Sequence, residues 1–304
     1  MRKPNTFLVG APKCGTSALA QYLGEHPDIF FCDPKEPFYW SDDYPGLADQ
    51  HGLKSLDDYL RLFARARPQH QVIAEGSTNY LASERAVARI VDFNPDARFI
   101  VMLRNPVDVA HAFHMEQVFV LNEDEADFEA AWRLQERRRH GTAIPRGCRA
   151  PQFLQYAEVA SYAAQVRRLL QVVPRHAVHF IEFDHFRLNP GAAYASTLAF
   201  LGLTHDGRTD FPVVNATRRH RSKAIARMVL DPPRLLRRPI EIARGHLRRQ
   251  RYAPVEAVKQ ALRKADKRAP LRPALRRELA AQFAPDVKAL EALLGWDLRH
   301  WGAA

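Results

Sequence analysis

Apolar residues along the chain gather in short runs bounded by turn residues, and between those runs they recur at spacings of three and four. Thr6–Val9, Val72–Glu75, Arg98–Leu103 and Val178–Glu182 are short and mainly apolar, which predicts buried parallel strands; Asp28–Phe31 is a fifth, shorter candidate. Between them Ser17–Glu25, Ser83–Asp92, Pro106–Phe119, Ala157–Leu170 and Gly191–Leu201 carry the periodicity of helices packed on one face. This alternation predicts an α/β fold, a P-loop-like doubly wound parallel sheet flanked by helices. In such sheets ligands sit beyond the carboxyl ends of the strands, so chemistry is expected just after Val9, Ala74 and Leu103.

From Arg218 to about Arg277 the pattern changes: Pro232, Pro233, Pro239, Pro254, Pro270 and Pro273 interrupt a strongly basic stretch with scattered apolar residues. The chain is therefore expected to be one domain over residues 1–304, with 218–277 a basic helical or loop appendage. Helical periodicity returns over Arg276–Leu294 and stops at Gly295, before Trp296 and Trp301, so the C-terminus is expected to pack back on the core.

Composition narrows the partners. The 304 residues hold 45 Lys and Arg against 34 Asp and Glu, a formal charge of +11, which favours anionic ligands such as nucleotides, acidic polysaccharides or anionic lipid. The basic stretch lacks interleaved aromatics and the chain has no recognition-helix signature, so no specific nucleic-acid partner is expected. Arginines at 234, 237, 238, 244, 248, 249 and 251 suit acceptor binding, peripheral membrane contact or plain solvation. Three cysteines, Cys14, Cys32 and Cys148, are widely spaced without a Cys/His metal pattern; neither a disulfide framework nor a zinc site is expected from them. No run is long enough to cross a bilayer and the N-terminus has no signal-peptide apolar core, which predicts a cytoplasmic protein, peripheral to the inner membrane surface at most. The pattern does not define an oligomeric state.

The most informative segment follows the first strand. Gly10-Ala11-Pro12-Lys13-Cys14-Gly15-Thr16-Ser17 leads into a helix, the arrangement in which backbone N–H groups and a helix N-terminus converge on a phosphate. The glycines have the spacing of a nucleotide-triphosphate loop, but Thr16 stands where that motif requires Lys, and the lysine is at position 13. The strand Phe99–Leu103 ends in Arg104 where a magnesium-handling enzyme offers Asp, and a cation there favours a further phosphate group over a metal. A nucleotide kinase or NTPase is the alternative reading of the loop, and a non-enzymatic polyanion-binding protein is a third.

Several blocks, in order, resemble the sulfotransferases that use 3'-phosphoadenosine 5'-phosphosulfate (PAPS), especially the heparan-sulfate enzymes and their bacterial relatives. Pro12-Lys13-Cys14-Gly15-Thr16-Ser17 looks like that family's 5'-phosphosulfate loop, and Arg98 through Asp108 like its 3'-phosphate strand and turn, with Arg104 at the ligand position. Lys35-Glu36-Pro37-Phe38-Tyr39-Trp40, Glu75 through Leu81, Phe180 through Asp184, and Leu290 to Trp301 resemble further family blocks.

The resemblance implies sulfuryl transfer to a hydroxyl or amine of a carbohydrate or glycoconjugate, with no metal required. It implies Glu36 as base, Lys13 at the departing phosphate, and Lys13, Cys14, Gly15, Thr16, Ser17, Arg104, Arg221 and Ser222 as cofactor contacts. Lys35, Glu75 and His114 are candidate acceptor contacts. One position departs from the family: Ala112 stands where a serine hydroxyl usually helps hold the 3'-phosphate, a role left to Arg104 and the basic segment Arg219–Lys223.

Overall fold

A computed structural model describes residues 2–214, 218–220, 263–265 and 270–302. The chain divides into two compact units: residues 1–113, 155–214 and 271–304 form the first, and 114–154 with 215–270 the second. The basic stretch, including Arg221 and Ser222, lies outside the described residues apart from 218–220, 263–265 and 270–277.

The first unit is built on a five-stranded parallel sheet. In chain order its strands are β1 (Thr6–Gly10), β2 (Ile29–Phe31), β3 (Val72–Glu75), β4 (Arg98–Leu103) and β5 (Val178–Glu182), and they lie side by side as β2-β3-β1-β4-β5. All five agree with the apolar runs to within a residue. Every residue of β1 and β3 is buried, as expected for parallel strands covered on both faces. The order reverses at β1: the chain moves to one side through β2 and β3, then to the other through β4 and β5. A crevice therefore opens at the carboxyl ends of β1 and its neighbours.

The helices are α1 (Thr16–Gly24), α2 (Leu56–Arg61), α3 (Ala86–Phe93), α4 (Pro106–Phe119), α5 (Phe128–Arg133), α6 (Gln135–Arg139), α7 (Tyr156–Ala160), α8 (Ala163–Val172), α9 (Phe183–Leu188), α10 (Pro190–Leu201) and α11 (Pro273–Leu294). Pro106 and Pro190 sit at helix starts, where a missing N–H costs nothing. Gly202 and Gly295 close α10 and α11 in the left-handed conformation, with φ of 73° and 69°. The helix expected over Ala157–Leu170 is two helices. Ser161 is extended between them, and the carboxylate of Asp286, on α11, accepts from the N–H groups of Tyr162 and Ala163 at 2.7 and 3.0 Å. A cap from a distant part of the chain makes the break favourable and docks α11 on α8.

The second unit holds α5, α6 and an antiparallel pairing of Arg218–His220 with Arg263–Ala265. Its buried centre contains a two-point ion pair: Arg138 Nη1 and Nη2 each lie 2.7 Å from Glu123. Arg138 Nε also donates to the Ala143 carbonyl, so little of the guanidinium is left unsatisfied.

Candidate phosphate-loop site

The site is assembled at the carboxyl ends of four adjacent strands: β2 delivers Lys35 and Glu36, β3 delivers Glu75 to Thr78, β1 delivers the loop 10–17, and β4 delivers Arg104. Backbone bonds knit these ends together. Ala11 N–H donates to the Met102 carbonyl at 2.7 Å, and Leu81 N–H donates to that of Val9 at 2.9 Å.

Two glycines shape the loop. A Cβ at Gly10 would lie 2.8 Å from the Leu81 Cβ, so no side chain fits where β3's continuation crosses β1. Gly15 caps α1 at φ 87°, and a Cβ there would also press on Phe183 and Phe186 at 3.1 Å. Lys13 is held at φ 62°, a left-handed conformation costing roughly 1 kcal/mol in a residue with a Cβ. Strain of this kind between β1 and α1, together with the N–H groups that any helix leaves unpaired in its first turn, marks a loop shaped for an anion. Cys14 contributes no thiolate. Burial pushes its thiol up to about 12 despite the nearby Arg104 and Lys13 cations, so its side chain fills space between the Pro12 carbonyl and Tyr162.

Arg104 reaches across from β4. Its Nη1 donates to the Lys13 carbonyl at 3.3 Å, its guanidinium lies 4.5 Å from the centre of the Phe183 ring, and its Nη2 is 3.5 Å from Asp108. The side chain is 19% exposed, so it combines a fixed position with access to a ligand. Asp108 is shared with Arg276 of α11, whose Nη1 is 3.0 Å from Oδ1. Arg104 thus stands both as an ion-pair partner of Asp108 in α4's first turn and as a cation beside the loop. Arg276 is invisible to sequence reasoning, being a helical arginine far away in the chain. Asn105 fixes the turn by donating to the Trp301 carbonyl at 2.8 Å and accepting from Val107 N–H at 3.0 Å. Ala112 lies two turns along α4 and is partly exposed.

Glu36 is 34% exposed and pairs with Lys35 at 2.7 Å, while the Thr78 hydroxyl donates to the same oxygen at 3.3 Å. Lys35 also donates to the Gly76 carbonyl at 3.1 Å, so this pair is attached to β3's end rather than loose in solvent. Glu75 differs from expectation. It is fully buried, and its oxygens are taken up by three hydroxyls: Tyr59 at 2.9 Å, Tyr80 at 3.1 Å and Ser77 at 2.7 Å. Ser77 and Tyr80 in turn accept from the backbone N–H groups of Phe38 and Trp40. Glu75 therefore anchors the segment carrying Glu36 and does not reach an acceptor itself. No local pattern could have revealed this, because its partners come from α2 and the loop after β3.

Burial pushes the Glu75 carboxyl up to about 7 from an ordinary value of 4.5. The unfolded chain releases that proton first, so stability should fall as pH rises between about 4.5 and 7, by roughly 3 kcal/mol in all. Glu75→Gln, which cannot ionise, should flatten that part of a plot of Tm against pH. An unchanged slope would mean that other groups govern it.

His114 lies on the part of α4 that belongs to the second unit. It is buried, its Nε2 is 2.9 Å from the Glu125 carbonyl, its ring packs on Phe128, and burial lowers its pKa. These contacts make it a packing residue of that unit. Among the described residues no helix is long and apolar enough to cross a membrane.

A strained loop on the central strand, faced by a strand-end arginine, has the form of an anion site without a Walker lysine in the usual place. The sulfotransferase domain model matches residues 3–223, and the chain belongs to that family. It resembles the crystal structure of a sulfotransferase from Alicyclobacillus acidocaldarius over 99% of both chains, with a TM-score of 0.73 and 30% identity. Human carbohydrate sulfotransferase 15 is 31% identical over 143 residues, 34% of this chain and 26% of that protein. The bifunctional heparan sulfate N-deacetylase/N-sulfotransferase 1 of Xenopus laevis is 26% identical over 206 residues, 67% of this chain and 23% of that protein. The chain thus spans about a quarter of the length of these curated relatives.

Proposed function

We propose that the protein transfers a sulfuryl group from PAPS to a hydroxyl or amine of a carbohydrate or glycoconjugate. The observation that carries the reading is the pairing of two cationic features at the switch point: the loop 10–17 on β1, and Arg104 on the adjacent β4, tied to that loop through the Lys13 carbonyl. One site suits a 5'-linked phosphosulfate, the other a second phosphate. The acceptor class is supported by the names of the two curated relatives, one a carbohydrate and one a heparan sulfate sulfotransferase.

PAPS, when bound, supplies an activated sulfuryl group on a phosphate leaving group. The loop N–H groups and the Thr16 and Ser17 hydroxyls would hold its 5' end, and Lys13 would supply positive charge beside the leaving phosphate. Arg104, its guanidinium kept in place over the Phe183 ring, would hold the 3'-phosphate. Glu36, steadied by Thr78 and by Lys35, would take the acceptor's proton at its carboxylate, and the Lys35 ammonium would supply positive charge for the sulfuryl oxygens.

Incubation with PAPS carrying radiolabelled sulfate, against a panel of desulfated glycosaminoglycans, glycolipids and simple glycosides, should label at least one acceptor with matching release of the desulfated nucleotide. Release of free sulfate alone would count against transfer. Ala112→Ser should restore the hydroxyl that relatives use, tightening binding of 3'-phosphoadenosine 5'-phosphate by about fivefold, the worth of one hydrogen bond of about 1 kcal/mol. Unchanged affinity would mean that other donors already fill that place.

A further inference from the structure

The turn that carries Arg104 out of β4 is held by the C-terminal part of the chain at two points. Asn105 Nδ2 donates to the Trp301 carbonyl at 2.8 Å, and Asp108, in the first turn of α4, accepts from Arg276 Nη1 of α11 at 3.0 Å. Leu275 and Leu279, on either side of Arg276 along α11, are buried, so the backbone that presents its guanidinium is fixed. Arg104, Asp108 and Arg276 are 19%, 24% and 31% exposed, which leaves the charges of this cluster only partly screened by water.

The two arginines divide the Asp108 carboxylate unequally. Oδ1 takes the 3.0 Å hydrogen bond from Arg276, whereas Oδ2 lies 3.5 Å from Arg104 Nη2, beyond a normal hydrogen bond. The contact of Arg104 Nη1 with the Lys13 carbonyl is also long, at 3.3 Å. Arg104 therefore commits none of its five N–H donors to a short bond, while Asp108 makes its short bond to the other arginine. The start of α11 adds an independent observation. Its first turn holds no acidic residue, and Arg276 puts a cation near the helix end where the macrodipole disfavours one, a cost that the Asp108 carboxylate offsets.

We propose that Arg276 is a positioning residue for the nucleotide: by occupying Asp108 it keeps the Arg104 guanidinium available to the 3'-phosphate. The proposal rests on the reading of Arg104 as the ligand of that phosphate. Without Arg276, the Asp108 carboxylate would turn to the nearest cation, Arg104, taking up its donors and cancelling charge that the phosphate would otherwise meet. With Arg276 in place, two arginines and one aspartate leave the cluster net positive, and the carboxylate is held by its far oxygen. Arg276 acts through Asp108 and Arg104 and has no part in the loop on β1.

The test is calorimetric titration of the full chain with 3'-phosphoadenosine 5'-phosphate and with adenosine 5'-phosphosulfate, which lacks the 3'-phosphate. Arg276→Ala should weaken binding of the first nucleotide by about tenfold and leave the second within about twofold of the wild type. Arg276→Lys should recover part of the loss, since an ammonium still pairs with Asp108. Asp108→Asn added to Arg276→Ala should bring affinity back to within about threefold of the wild type, because no carboxylate then competes for Arg104. That recovery is what support of α11 alone would not give, since a second lost contact would weaken the helix further. Wild-type affinity in Arg276→Ala, an equal loss for both nucleotides, or no recovery in the double variant overturns the proposal, and the Tm of each variant separates lost folding from lost binding. A wild type that binds both nucleotides equally would overturn the reading of Arg104 itself, and this proposal with it.

Discussion

Arg104→Ala should weaken binding of 3'-phosphoadenosine 5'-phosphate by roughly a hundredfold or more, the worth of one or two charge-assisted bonds of about 1.5–3 kcal/mol each. The same variant should bind adenosine 5'-phosphosulfate, which lacks the 3'-phosphate, nearly as the wild type does. That contrast separates a ligand contact from a structural one, since Arg104 also holds Asp108 and the Lys13 carbonyl. Asp108 keeps Arg276 after the substitution, so the fold should survive. A parallel loss for both nucleotides would show that Arg104 merely shapes the loop. Arg104→Lys should recover little, because an ammonium cannot span Lys13, Asp108 and a phosphate while lying on the Phe183 ring.

The second large effect is expected at Glu36. Glu36→Gln removes the proton acceptor while keeping the shape that meets Thr78, so kcat should fall by about a hundredfold to ten-thousandfold with nucleotide affinity nearly intact. Single-turnover transfer together with a binding isotherm gives both quantities. Normal turnover would move the base elsewhere. Glu75 is not the substitute, being fully buried and committed to Tyr59, Tyr80 and Ser77.

The sheet was legible because parallel strands covered on both faces leave uniform apolar runs, and the loop was legible because a phosphate site needs glycines at fixed places between a strand and a helix. What escaped was set by contacts between distant parts of the chain. The break between α7 and α8 depends on Asp286 more than a hundred residues on, and Glu75 reads as a strand-end carboxylate until Tyr59 and Tyr80 are seen to enclose it. The six-residue α9 follows β5 with no intervening turn, leaving no punctuation to mark it. His114 lies on the helix that follows Arg104, yet periodicity alone cannot say which polar residues of a helix turn inward, and its ring meets Glu125 and Phe128. Lys13, Glu36 and Arg104 were legible as candidates because each sits within a few residues of a strand's carboxyl end, where topology directs ligands whatever the flanking packing.

The central claim is that the loop on β1 and the arginine on β4 together recognise a nucleotide carrying both 5' and 3' phosphates. Calorimetric titration with 3'-phosphoadenosine 5'-phosphate, beside ATP with magnesium, tests it most directly. Tight binding of the 3'-phosphorylated nucleotide, with ATP far weaker, is the result expected. Preference for magnesium ATP, or no binding of the 3'-phosphorylated nucleotide, would contradict the account and assign the loop to a different ligand.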